Sequence, residues 1–195
     1  MSNTQYTEKP DRDQLSILFS QYQKLCHYCD GVFSATQNAF PSQMQCAKGC
    51  ASCCILETIV PLEAHIIASA LTLSSQEQLK EKESQKNGNC VFLHHAECAI
   101  YAVRPIICRT HGLPIQHPDC RQPDVCPLNF TSMELTTLDP QWILNAETIT
   151  GNLMRLNLAF CILIQRPEIA GERIPLRWLL TDHDPLDSIP ISDKV

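Results

Sequence analysis

The residues best able to do chemistry in this chain are its cysteines: there are twelve, and nine of them fall between Cys46 and Cys126. Four stand together as Cys46, Cys50, Cys53 and Cys54, a C-x3-C-x2-C-C run, and Gly49 supplies backbone permissive enough to curl around a metal. Cys90, Cys98, Cys108, Cys120 and Cys126 follow. Thiolate sulfur suits zinc and iron–sulfur centres, whereas magnesium and calcium take oxygen ligands and are excluded as tenants. Adjacent side chains at 53 and 54 point in different directions, which favours a cluster, a two-metal site, or one cysteine given over to packing. Nine candidates exceed the four thiolates that one tetrahedral zinc or one 4Fe–4S cluster takes. Two sites, or one site with spare cysteines, are both compatible with that number.

Composition sets the surroundings in which these thiols act. The start, MSNTQYTEKPDRDQ, lacks the basic and apolar regions of a secretory signal, and no run of about twenty apolar residues occurs. The expectation is a cytosolic protein without a membrane span, where reducing conditions rule out a disulfide framework and leave metal binding or thiol chemistry to explain the cysteines. A net charge of −6 with no lysine or arginine block lacks the footprint for a phosphate backbone, so nucleic acid is not an expected partner. Metal ions are, and any protein partner or substrate is left unspecified. A chain of 195 residues, 44% hydrophobic and 18% charged, is enough for one folded domain. We place it at 11–180 with a cysteine core at 46–126, a flexible start at 1–10 and a tail at 181–195.

The elements that must position the thiols are mostly helical. Leu15, Leu18, Phe19, Tyr22, Leu25, Cys26 and Cys29 recur at helical spacing, predicting a helix over Asp11 to Gln37. Cys26 and Cys29 form a C-x-x-C pair within that stripe and read as core packing rather than a redox pair. Gln45 to Leu56 is too small-residue-rich to build a core and reads as a ligand loop. Pro61 opens a second helix to about Leu73, with Glu63 in its first turn near the positive end of the dipole. The polar stretch SSQEQLKEKESQKNGN reads as an exposed helical turn and loop. CVFLHH and ECAIYAV are β-prone and predict a hairpin turning at His94, His95 and Ala96, which would bring Cys90 close to Cys98. Between Arg104 and Pro127 five prolines and three cysteines exclude a regular helix or central strand, and metal ligation is expected to fix the segment. Removing metal should loosen it first. Asp139 to Ile164 reads as a long helix, carrying Trp142, Ile143, Ile149, Leu153, Leu156 and Phe160, stopped by Pro167 and packed on the first helix.

Other polar residues lie among the cysteines. Arg104 and Arg109 flank Cys108 and Arg121 follows Cys120; they could neutralise sulfur charge or bind an anion, or form structural ion pairs. We do not read them as catalytic. His94, His95, His111 and His117 could be mixed ligands but read better as turn or surface residues, His111 being the best placed. His65 reads as helix packing.

CAKGCASCC followed by CVFLHHAECAIYAVRPIICR resembles the CxxCxxCC, or YkgJ-like, family of zinc- or iron-chelating domains, over roughly residues 45 to 129. The carrying elements are Cys90, Phe92 and Leu93, then Cys98, Ile100 and Tyr101, then Arg104 and Pro105, then Cys108 and Arg109. The resemblance implies chelation by Cys46, Cys50, Cys53, Cys54, Cys90, Cys98 and Cys108, to which Cys120 and Cys126 are added as candidates. Three residues rather than two separate Cys46 from Cys50, a departure from the family's namesake spacing. The same domain occurs in flagellin lysine N-methylases, which makes a metal-dependent protein methylase one implied activity.

The triad Cys46, Cys50 and Cys53 also has the spacing of radical S-adenosylmethionine enzymes. Only 142 residues follow it, and they do not alternate strand and helix as the barrel of those enzymes would. No phosphate loop, G-x-S-x-G elbow or H-E-x-x-H helix is present. The expectation is thus a mainly α, compact helical domain with a short β-hairpin and irregular Cys-rich metal-binding loops. It would carry an iron–sulfur centre of 4Fe–4S type, with zinc as the alternative tenant. No catalytic residue is assigned.

Overall fold

The structure is a computed structural model and describes residues 11–72, 77, 79, 89–181 and 183–189. The expectations for residues 1–10, for nearly all of the polar stretch after α2 and for the end of the tail lie outside those residues. Helix α1 spans Arg12–Ala39, capped by Asp11, whose carboxylate accepts from the Asp13 and Gln14 N–H groups. Leu18, Tyr22, Cys26 and Cys29 are buried along one stripe, as the spacing requires. Cys26 and Cys29 are therefore packing residues.

Strand β1 (Thr58–Ile59) leads into α2 (Pro61–Ala70), shorter than expected because Leu71 already adopts extended backbone. Pro61 begins that helix and Val60 offers no capping side chain. A residue of another helix binds one of the orphan donors: Asn157, fully buried, accepts from Leu62 N at 2.9 Å.

Strands β2 (Leu93–His94) and β3 (Glu97–Cys98) make the expected hairpin, Leu93 opposite Cys98. His95 and Ala96 form its turn with φ of 47° and 60°. The hairpin is much shorter than its β-prone flanks, since Tyr101–Val103 winds into a 3-10 turn. A second departure lies in the proline-rich segment, where Ile106–Thr110 forms a short helix, α3. Pro105 stands just before it and His111 resumes extended backbone, so the prolines bound the helix rather than interrupt it. Strand β4 (Ile115–Gln116) then pairs in parallel with β5 (Leu144–Asn145), and Ile115 bridges Asp124.

The last long helix, α4, spans Ala146–Leu163 and begins later than expected. Asp139 caps only the 3-10 turn Pro140–Trp142; the chain then extends through β5 before Asn145 caps α4 by accepting from Thr148 N. It packs against α1 and α2. Strand β6 (Ile174–Pro175) returns to pair antiparallel with β1, Ile59 opposite Ile174. The fully buried core includes Ile59, Leu62, Phe92, Phe160 and Ile174, from β1, α2, the approach to β2, α4 and β6. The domain is mainly helical, as expected, and among the described residues its strands form two-stranded ribbons, of which only the β2–β3 hairpin was expected. Among the described residues no helix is long and apolar enough to cross a membrane.

Candidate metal centre

The thiol loop hangs between α1 and β1 and is shaped by consecutive turns. Cys50 N donates to Ala47 O, Cys54 N to Ala51 O (both 3.0 Å) and Ile55 N to Cys53 O (2.9 Å). Gly49 has φ of 93°, a conformation that favours glycine.

At one end of the loop lies Asn129, only 2% exposed. Its Oδ1 accepts from Gln45 N at 2.8 Å, while Nδ2 donates to Gly112 O at 2.7 Å and to Cys46 Sγ at 3.2 Å. Its own N–H donates to Cys126 O at 2.8 Å. Asn129 thus joins Cys46 to Cys126. Gly112, with φ of 94°, leaves no room for a side chain: a Cβ there would stand 2.5 Å from Cys46 Sγ. Gln37 Nε2, from α1, donates to Cys46 O at 2.8 Å.

At the other end, Cys90 N donates to Cys54 O at 2.8 Å, which sets the start of the hairpin against the loop. Leu93 N donates to Cys90 O and Ala99 N to Phe92 O, and the β2–β3 register then places Cys98 on the same hairpin, as the sequence suggested. Cys108 enters from α3, whose first N–H, that of Ile106, donates to Glu63 Oε1 at 2.8 Å. Tyr22 OH donates to the same oxygen at 3.1 Å. The buried Glu63 carboxyl therefore connects α1, α2 and α3, a role that its reading as a dipole partner did not anticipate.

The thiols act on one another electrostatically. Burial, then the charge of Cys54, Cys46 and Cys50, pushes Cys53 up to about 11. Burial raises Cys46, the Asn129 hydrogen bond opposes that rise, and Cys126 and Cys50 add to it. Cys54 is raised by burial and then by Cys98 and Cys90. Cys108 is exposed at the surface, yet the protein packed around its thiol, then Cys90 and Cys98, push it up to about 12, with Glu63 and Cys54 contributing less. Crowded thiols of this kind stay protonated until a cation compensates their charge, so metal uptake would release protons.

An all-thiol donor set fits soft or borderline metals, and the cradle at Cys46 is shaped around its sulfur. Among the described residues no three His, Cys, Asp or Glu side chains already converge as one ion would require. The backbone gathers the cysteines; the sulfurs are neighbours that must turn inward to ligate. Of the nine candidates, Cys46, Cys50, Cys53, Cys54, Cys90, Cys98, Cys108 and Cys126 enter these contacts. Cys120 is exposed, held through its backbone by His117 O and Gln116 Nε2.

The flanking arginines are structural. Arg104 and Arg109 donate to the two oxygens of Asp30 on α1, at 2.6 and 2.5 Å. Arg109 is 7% exposed and also donates to the Arg104 and Ala102 carbonyls. The guanidinium of Arg104 lies 4.0 Å over the Tyr101 ring. The R-P and C-R elements therefore fasten α3 to α1, and Asp30 was not legible as their partner. Arg121 is exposed. His65 stacks on Phe19 and meets Phe160 at a tilt, as expected of a packing residue, while His111 turns its Nδ1 toward Ile107 O at 3.0 Å.

Residues 45–127 match the model of the CxxCxxCC family, described as "Putative zinc- or iron-chelating domain", the family that the sequence resembles. The matched segment contains all nine candidate cysteines. No curated protein and no solved structure matches the chain.

Proposed function

We propose that this chain is a cytosolic metal-chelating protein holding iron as an iron–sulfur centre of 4Fe–4S type, through thiolates of the cysteines between Cys46 and Cys126. The observation that carries the reading is the gathering of eight thiols into one region of the fold, where they bear on one another's charge. A single zinc draws four sulfurs to about 2.3 Å from one centre. A 4Fe–4S cluster likewise takes four thiolates and, spread over four irons, accommodates a crowded set of this kind, which is what favours iron in this reading. When bound, such a cluster supplies electron transfer or Lewis acidity at an iron. The chain's own contribution is to release the thiol protons, to hold Cys46 through Asn129, and to hold Cys108 through α3. The domain doing so extends over 11–180, with the cysteine core inside it.

Elemental analysis and an absorption spectrum of anaerobically purified protein test this. Iron with matching acid-labile sulfide and a broad visible band is the expected result. Stoichiometric zinc in a colourless protein would overturn the iron–sulfur centre and leave a zinc-binding module. Serine at Cys50 or Cys108 should cost metal and solubility, and serine at Cys26 or Cys161 should spare the metal.

A further inference from the structure

The two arginines that fasten α3 to α1 share a single carboxylate, and they do so at one end of a cleft. We infer that this cleft, between α1, α2 and the 3-10 turn Tyr101–Val103, is a binding site for a small organic anion with a flat apolar body. The inference is independent of the metal-binding reading, since none of the nine candidate metal cysteines lines the cleft.

The cleft has a volume of about 650 Å³, within the range of small-molecule sites. On the α1 side it is lined by Phe19, Tyr22, Cys26 and Asp30, side chains three or four apart that follow one helical face for about 16 Å. Its two ends differ in chemistry. At the Phe19 end, the His65 ring from α2 stacks on Phe19 with centroids 5.7 Å apart. Burial holds the His65 imidazole below its ordinary range, so at neutral pH it offers a ring face rather than a charge.

At the Asp30 end stand Arg104 and Arg109, both paired to that carboxylate. Among the described residues no other charged side chain lines the cleft, so two permanently charged guanidinium groups meet one carboxylate and leave one positive charge in excess. The chain as a whole carries −6, so the cleft has the opposite sign to its surroundings. Arg109 is only 7% exposed, and a cation this far from water is attracted to an anion more strongly than one at the surface. Tyr101 is 64% exposed, and the Arg104 guanidinium 4.0 Å over its ring makes the two a flat wall at the cationic end.

This polarity defines the ligand. A carboxylate or similar oxyanion would lie at Arg104 and Arg109, whose planar guanidinium groups match its paired oxygens. A ring attached to it would lie toward Phe19 and His65. A metal cation has the wrong charge, a bare inorganic anion leaves the aromatic end unfilled, and a neutral ring leaves the excess charge uncompensated.

Calorimetric titration of the full chain, as purified, with naphthoate as the probe tests the site. Naphthoate should bind at one site per chain, and both its uncharged analogue naphthalenemethanol and bare acetate should bind roughly tenfold or more weakly. Gln23→Glu adds a carboxylate to the lining from an exposed position on α1, and Ser69→Trp fills the cleft from an exposed position on α2. Each should weaken naphthoate by a similar factor with circular dichroism unchanged. Arg104→Gln should do the same, with Arg109 still holding Asp30. Absence of naphthoate binding, equal binding of either control compound, or binding that survives both Gln23→Glu and Ser69→Trp overturns the site. Metal content is measured separately, so a chain that carries metal and fails these titrations loses the cleft and keeps its metal centre.

Discussion

Asn129 and Gly112 together fix the position of one sulfur. Replacing Asn129 by alanine leaves the part-buried Gln45 N–H and the buried Gly112 carbonyl without their partner. The expected loss is about 2–4 kcal/mol in urea unfolding, and metal affinity should fall by roughly 10–100-fold, as for other residues that orient a ligand. Gly112→Ala should also lower metal content, because its Cβ would stand 2.5 Å from Cys46 Sγ. Gly49→Ala is the control: φ there is likewise positive, but nothing lies within 4 Å of the added carbon. That variant should lose about 1–2 kcal/mol of stability while its metal content stays near wild type; equal metal loss in the two would refute the steric account. The cysteines themselves were legible because sulfur in such number has few other uses. Asn129 was not, since a single asparagine in a loop carries no periodicity, and its partners are 84 and 17 residues away in sequence.

Helix α3 shows how an element escapes a sequence reading. Five residues are too few for a periodic stripe, and the prolines around it argue locally for coil; what supplies its support is Glu63 on another helix. The late start of α4 has a similar cause, as both Asp139 and Asn145 look like caps and only the second opens the long helix. Element-scale stability should therefore respond to Glu63. Burial raises its carboxyl above the usual range, so the folded chain holds that proton more tightly than the unfolded chain does. Its contribution to stability is full below about pH 4.3, the unfolded value, and is lost as pH rises toward the folded value. Glu63→Gln keeps an acceptor for Tyr22 and Ile106 and removes the titration. Urea midpoints of wild type and variant measured from pH 4 to 8 should diverge, with the wild type losing relative stability as pH rises. Parallel curves would show that the proton is not linked to folding.

At the scale of the molecule, the mainly helical architecture and the packing of α4 on α1 were legible, since amphipathic stripes over four or more turns leave little choice of face. The site was legible as composition and only partly as geometry, because long-range hydrogen bonds from Asn129, Asp30 and Glu63 assemble it. Those bonds also refine which part depends on metal. Residues 104–116 are anchored by the Asp30–Arg109 pair, by Glu63 and by β4, whereas residues 117–126 rest on bonds within their own loop and to the adjoining Ile115, Gln116 and Asn129. Full chelation should raise hydrogen exchange and proteolytic cutting in 117–126 first, with circular dichroism of the long helices nearly unchanged. Early cutting within α1 or α4 would mean that the metal supports the core itself.

The pairing of β1 with β6 has a consequence for what can be inherited as a unit. The stretch recognised as a family, 45–127, stops far short of Ile174, yet Ile59 inside it is paired with Ile174 outside it, and Leu176 N donates to Glu57 O at 2.8 Å. The recognisable signature is an interior passage of the chain whose floor and walls are supplied from before and after. Cut out and expressed by itself, 45–127 should be a collapsed, aggregation-prone peptide, whereas a transplant that retains α1 and the return through β6 should fold. Recombination could then move this chemistry only together with its flanks.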